Sequence, residues 1–163
     1  MRSFVRFGAV VAAFAALVIV GGCTTTSKST TITYSFEPRF SFPAAKTYQW
    51  RKSAPTYRQD SLVEANVRFV ADRELAAKGL TLQTDKSDLV AWVGYEFDPQ
   101  SYSYGRELRA LSLNIARADD NELVWRGLAT GTIRTDAASG DLTKAVEGIM
   151  VNFPPAGAAA KSK

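Results

Sequence analysis

The chain has 163 residues, enough for one domain that buries roughly two-thirds of its unfolded surface without disulfide or metal staples. It holds one cysteine and no histidine, which excludes internal disulfides, the usual zinc sites and the commonest general base. Five of the 20 basic residues (Arg2, Arg6, Lys28, Lys161 and Lys163) lie near the chain ends, leaving 15 against 16 acids, a balance near −1 that argues against a nucleic-acid partner.

The first element read along the chain is an export signal. Arg2 and Arg6 supply a positive start, Phe7 to Val20 is almost wholly apolar, and Val20-Gly21-Gly22-Cys23 places small residues before a thiol. The apolar run is shorter than the roughly 20 residues that a helix needs to cross a hydrocarbon core. An uncleaved short anchor with an incidental cysteine is the plainer alternative. The segment resembles a bacterial lipobox, which implies cleavage between Gly22 and Cys23 and transfer of a diacylglycerol, with acyl chains such as palmitate, to the Cys23 sulfur. Residues 1–22 are then signal, and residues 23–30 a lipidated cysteine with a polar tether, TTTSKST from Thr24. Several acyl chains hold a protein on a bilayer far more durably than one. Thr24 stands where an Asp commonly signals inner-membrane retention, so the expected location is the outer membrane, facing the periplasm.

A domain follows over residues 31–155. Thr31–Phe36 (TITYSF) alternates as a strand does, and Thr47–Trp50 (TYQW) is a second strand candidate beyond Pro38 and Pro43. A helix is predicted from Ser61 to Lys78, with Ser61 and Glu64 as a capping box and Gly79 ending it in a left-handed conformation. Its stripe of Val63, Val67, Val70, Ala71 and Leu75, flanked by Leu62, Phe69 and Ala76, reads as core-facing. Its mixed charges, Arg68, Asp72, Arg73 and Glu74, argue against a membrane-surface helix.

Three longer strands come next: residues 89–97, residues 111–116 and residues 123–132, joined by a loop near 98–106 and a tight turn at Asp119-Asp120-Asn121. A last helix is predicted from Asp141, as N-cap, to Asn152. Pro154-Pro155 stops it, and residues 156–163 read as a disordered tail. The expected fold is a single α+β domain: a mostly antiparallel sheet of about five strands with both helices on one face. Tyr48, Trp50, Trp92 and Trp125 read as core, and Gly127 and Gly131 as positions that permit close packing of a helix or a local bulge.

TYQW at Thr47–Trp50, LAAKGL at Leu75–Leu80, SDLVAWV at Ser87–Val93, LVWRG at Leu123–Gly127 and FPP at Phe153–Pro155 occur in one order. With them the stretch from Tyr34 to Pro155 resembles the bacterial lipoprotein family named domain of unknown function 4136. The resemblance implies an envelope-associated α+β lipoprotein domain and brings no catalytic residues.

No phosphate loop, dinucleotide fingerprint or metal-ligand spacing is present, and no cofactor is expected. Asp119 and Asp120 read as turn-shaping residues. The stretch Asp98–Arg106 (DPQSYSYGR) is a candidate binding loop through Tyr102, Tyr104 and Arg106, although an ordinary hairpin loop with its tyrosines folded over the sheet is the preferred reading. The functional expectation is a non-enzymatic envelope lipoprotein, attached to the membrane through Cys23, that binds or supports an envelope protein or ligand. The alternatives are an envelope enzyme using carboxylates converging in a deep pocket, and a purely structural accessory subunit marked by an apolar patch outside the core.

Overall fold

The computed structural model describes residues 29–51, 60–101 and 106–155. In chain order these form β1 (Thr31–Phe36), a 3-10 turn (Phe42–Ala44), β2 (Thr47–Trp50), α1 (Ser61–Ala77), β3 (Thr81–Leu82), β4 (Leu89–Phe97), β5 (Glu107–Arg117), β6 (Leu123–Arg134) and α2 (Asp141–Met150). The six strands make one sheet in the order β1-β6-β5-β4-β2-β3.

Two features of the expected sheet are corrected. It has six strands, because β3 pairs Thr81 and Leu82 with Thr47 and Tyr48 over a length too short to show alternation. It is also mixed. β2 runs parallel to both β3 and β4, because α1 carries the chain back across the layer before the next strand starts, as helical crossovers do. β4, β5 and β6 form the expected antiparallel hairpins, and β1 closes on β6 from Thr31 opposite Thr130 to Phe36 opposite Trp125.

Both helices cover the face that carries Tyr48, Leu89, Ala91, Leu111, Leu113, Ile115, Trp125 and Ala129, and they complete one core with it. α1 contributes Val63, Val67, Val70, Ala71 and Leu75, and α2 contributes Leu142, Ala145, Val146, Ile149 and Met150. Each of the larger of these side chains stabilises the fold by roughly 1.5–3 kcal/mol relative to exposure. Trp125 is fully buried and meets Phe153 edge-on at 5.1 Å, while Phe153 also meets Phe42 at 5.7 Å. Of the two expectations for Gly127, close packing of a helix is the one observed, since a Cβ there would stand 2.4 Å from Ile149 Cγ2. Trp92 departs from its expected place. It lies half-buried on the opposite face, with the Arg51 guanidinium 3.9 Å from its ring centre.

Both helix starts differ by one residue from their expected caps. Asp60 caps α1, its carboxylate accepting from Leu62 N at 3.0 Å and Val63 N at 3.4 Å, while Glu64 pairs with Arg68 one turn on. Gly140, in the left-handed region, caps α2. Asp141 belongs to the first turn, where its carboxylate accepts from Arg134 Nε at 2.7 Å and its N–H donates to Ser139 Oγ at 3.2 Å. The end of α1 is as expected: Gly79 takes φ +84°, and Leu80 N donates to Leu75 O at 3.0 Å.

Candidate functional site

The site residues marked in the sequence are mostly out of view. Gly22, Cys23, Tyr102 and Tyr104 lie outside the described residues. Arg106 is described, and it serves the fold: its guanidinium pairs with the α1 cap Asp60 at 3.1 Å and lies 5.0 Å from the Phe97 ring centre. Asp119 and Asp120 shape the β5–β6 turn. Asp119 accepts from Asp120 N at 2.8 Å, Asp120 accepts from Glu122 N at 2.9 Å, and Asn121 takes φ +59°.

An open cleft of about 680 Å³ lies at the end of the sheet where β1 and β5 finish and where β4 and β6 begin. Three segments build it. After β1, Glu37 N donates to Val124 O at 2.9 Å and its carboxylate accepts from Arg39 N at 3.1 Å, which turns the chain back across the sheet end. Pro43 then lies in the first turn of the 3-10 segment, and Phe42 anchors it in the core against Phe40 at 4.8 Å. The second segment is Ser87-Asp88. Asp88 Oδ2 accepts from Lys46 N, Thr47 N and Thr47 Oγ1 at 2.8, 2.9 and 2.9 Å, and Asp88 N donates back to Thr47 Oγ1 at 2.9 Å. The backbone N–H of Lys46, then the Thr47 hydroxyl and N–H, hold the Asp88 carboxyl below the ordinary carboxylate range. The third segment is the β5–β6 turn, where Arg117 binds Asp120 at 2.6 Å and also Glu122, with Asp119 at 4.0 Å. Asp120 is likewise held low, by the Glu122 N–H first and the Arg117 charge after it.

Four carboxylates therefore line the cleft: Glu37, Asp88, Asp119 and Glu122. Each already has a partner within the fold. Ser87, also in the lining, spends its hydroxyl proton on Leu89 O at 2.7 Å. The Arg39 guanidinium differs, because among the described residues it makes no ion pair or side-chain hydrogen bond. It lines the cleft with Phe40, and a guanidinium with its donors unspent suits a carboxylate or a phosphate. Sequence spacing could not reveal this site, whose parts are spread along the chain from Glu37 to Val124. Among the described residues no group of three or more acidic or cysteine ligands is arranged around a common metal position.

A mixed six-stranded sheet layered on one face by a crossover helix and a C-terminal helix, with a cleft at one end, defines a single α+β domain. The chain belongs to the family described as domain of unknown function (DUF4136), whose model matches residues 32–155. Solved structures share the fold. A DUF4136 family protein from Bacteroides thetaiotaomicron is 15% identical, with a TM-score of 0.53 over 76% of this chain and 94% of its own. A PelC dodecamer from Paraburkholderia phytofirmans is 12% identical, with a TM-score of 0.55 over 78% of this chain and 99% of its own. A PDZ domain protein from Parabacteroides distasonis is 14% identical, with a TM-score of 0.57 over 78% of this chain, which spans 36% of that protein. No curated protein matches the chain by sequence.

Proposed function

We propose that this chain is a bacterial envelope lipoprotein, anchored in the outer membrane through acylated Cys23 and holding in the periplasm a domain that binds or supports another envelope component without chemistry of its own. The order of features in the sequence carries this reading: a basic start, an apolar run, Gly21-Gly22-Cys23, a polar stretch, and then a domain whose first strand begins at Thr31. The cleft supports the binding role. Among the described residues it offers one unengaged guanidinium, Arg39, whereas its carboxylates and Ser87 are committed to holding the loops. Fractionation of cells expressing Cys23→Ser tests the anchor, and the variant is expected to lose processing and leave the outer membrane. Arg39→Ala tests the cleft. It should abolish function in the cell while leaving stability within about 0.5 kcal/mol, as for a surface change that removes no contact. Wild-type function in that variant would show that the cleft is not the binding site.

An enzyme remains a second reading, favoured by the convergence of Glu37, Asp88, Asp119 and Glu122 on one cleft. Purified chain that cleaves peptidoglycan or envelope glycan, and loses that activity in Asp88→Asn without unfolding, would establish it. The accessory-subunit form of the proposal draws support from the likeness to PelC, a dodecamer. Sedimentation of the detergent-solubilised chain separates a monomer from such an assembly.

A further inference from the structure

α1 carries apolar side chains on two opposite sides. Val63, Val67, Val70, Ala71 and Leu75 face the sheet and α2, while Leu62, Ala65, Phe69 and Ala76 lie at helical spacing along the outer side and are exposed. Leu62 is 74% exposed and Phe69 72%. Two polar residues share that outer side. Asn66 is uncharged, and an amide beside Leu62 and Phe69 is at home among lipid headgroups. Arg73 is bound by Glu74 at 3.1 Å and Glu147 at 2.5 Å. The other charges that argue in the sequence against a surface-seeking helix are drawn into the domain. Arg68 pairs with Glu64, and Asp72 accepts from Tyr48 Oη at 2.5 Å and Trp50 Nε1 at 2.8 Å.

The register places this stripe relative to the anchor. Thr31 stands opposite Thr130, Thr130 opposite Ala110, and Ala110 opposite Glu96, so β1 begins at the end of the sheet where β4 finishes. The N-terminus of α1 is at that end too, because Asp60 N donates to Tyr95 Oη at 2.5 Å. Ser29 lies there as well, its carbonyl 2.9 Å from where a Cβ on Gly131 would stand. The path from Cys23 to Ser29 spans at most about 20 Å. The helix layer is roughly 10–12 Å thick, so a lipid surface lying along the outer side of α1 is within reach of the tether.

We infer that the outer stripe of α1, centred on Leu62 and Phe69, rests in the headgroup and upper acyl region of the bilayer that holds Cys23. The domain then lies on its helical side, with the Arg39 cleft at the far end of the sheet. This rests on the anchoring proposed above. The tether holds the stripe beside the bilayer at high effective concentration, and insertion of a few apolar side chains from a helix face needs no large area. A second copy fits less well. Only two large apolar side chains, Leu62 and Phe69, stand on this side, whereas a stable dimer interface draws on roughly 20–30 residues per partner.

The test uses the full chain, processed and acylated in cells, then reconstituted in phosphatidylethanolamine–phosphatidylglycerol vesicles. Leu62→Cys and Phe69→Cys, with Thr33→Cys on the other face of the sheet as reference, each carry a nitroxide, since Cys23 is blocked by its lipid. The expected result is a ratio of oxygen to nickel-chelate collision severalfold higher at residues 62 and 69 than at residue 33. Vesicles that float with the protein while residues 62 and 69 are as open to the aqueous chelate as residue 33 overturn the inference and leave the anchor standing. Dipolar broadening between labels at residue 69 assigns the stripe to a second copy and also overturns it. A chain with unmodified Cys23 that does not float removes the anchor and this inference together.

Discussion

Asp72 receives two aromatic side chains from one strand, the Tyr48 hydroxyl and the Trp50 indole N–H, and so ties β2 to α1. Tyr48 is almost fully buried, and burial first, then the Asp72 carboxylate beside it, pushes its phenol far above the ordinary value. It therefore remains a donor at every working pH. Asp72→Ala removes the acceptor and strands a buried hydroxyl, a cost of roughly 1–3 kcal/mol; urea unfolding followed by tryptophan fluorescence is expected to show a lower midpoint with an unchanged slope. Gly127 is constrained for a different reason, since an added Cβ would meet Ile149 Cγ2 at 2.4 Å and Trp125 Cη2 at 2.5 Å. Both neighbours are fully buried, so neither can yield cheaply. Gly127→Ala is expected to destabilise by roughly 1–3 kcal/mol through overpacking, and a variant as stable as wild type in the same assay would contradict the placement of α2.

At the scale of elements, the Asp88 clamp joins the start of β2 to the start of β4, the two parallel strands on either side of the crossover. A carboxyl whose folded pKa is depressed contributes stability that is present above its unfolded pKa, about 4 for Asp, and is lost as the pH falls through the lower folded value. Asp88 therefore protects β2 from mildly acidic to neutral pH and ceases to do so in strong acid. Asp88→Asn should lower the melting temperature at pH 7 and show a smaller further loss between pH 5 and strong acid than wild type. An acid limb identical to wild type would contradict the clamp. The same elements show what a sequence can reveal. The long strands β4, β5 and β6 and the helix α2 declare themselves because each repeats its period several times over a buried face. The direction of β2 is hidden, because alternation carries no polarity, and β3 is hidden because two residues cannot alternate. The caps fall one residue from expectation where two capable groups are adjacent, Asp60 beside Ser61 and Gly140 beside Asp141. The cleft is unreadable for a stronger reason, since the residues around Glu37, Asp88 and Glu122 meet only once the sheet has formed. The outer stripe of α1 is visible in the sequence as Leu62, Phe69 and Ala76, but its exposure depends on which side the sheet takes.

Over its described residues the domain is a one-sided sandwich, a sheet with both helices on one face and a cleft at one end. Its folded part is near neutral in charge and has no histidine. No side chain at its ordinary pKa therefore changes charge between pH 6 and pH 8, and the melting temperature is expected to stay flat across that interval in a scan at constant ionic strength. A sloping profile would expose a titrating group that this account lacks. Among the described residues no helix is long and apolar enough to cross a membrane. The proposed anchor is one sulfur atom near the start of the chain, that of Cys23. Mass spectrometry of the N-terminal peptide from the membrane-extracted protein tests that directly. The expected peptide begins at Cys23 and carries a diacylglycerol on its thioether. A peptide that begins at Met1, or a free thiol at Cys23 in the soluble fraction, would contradict it.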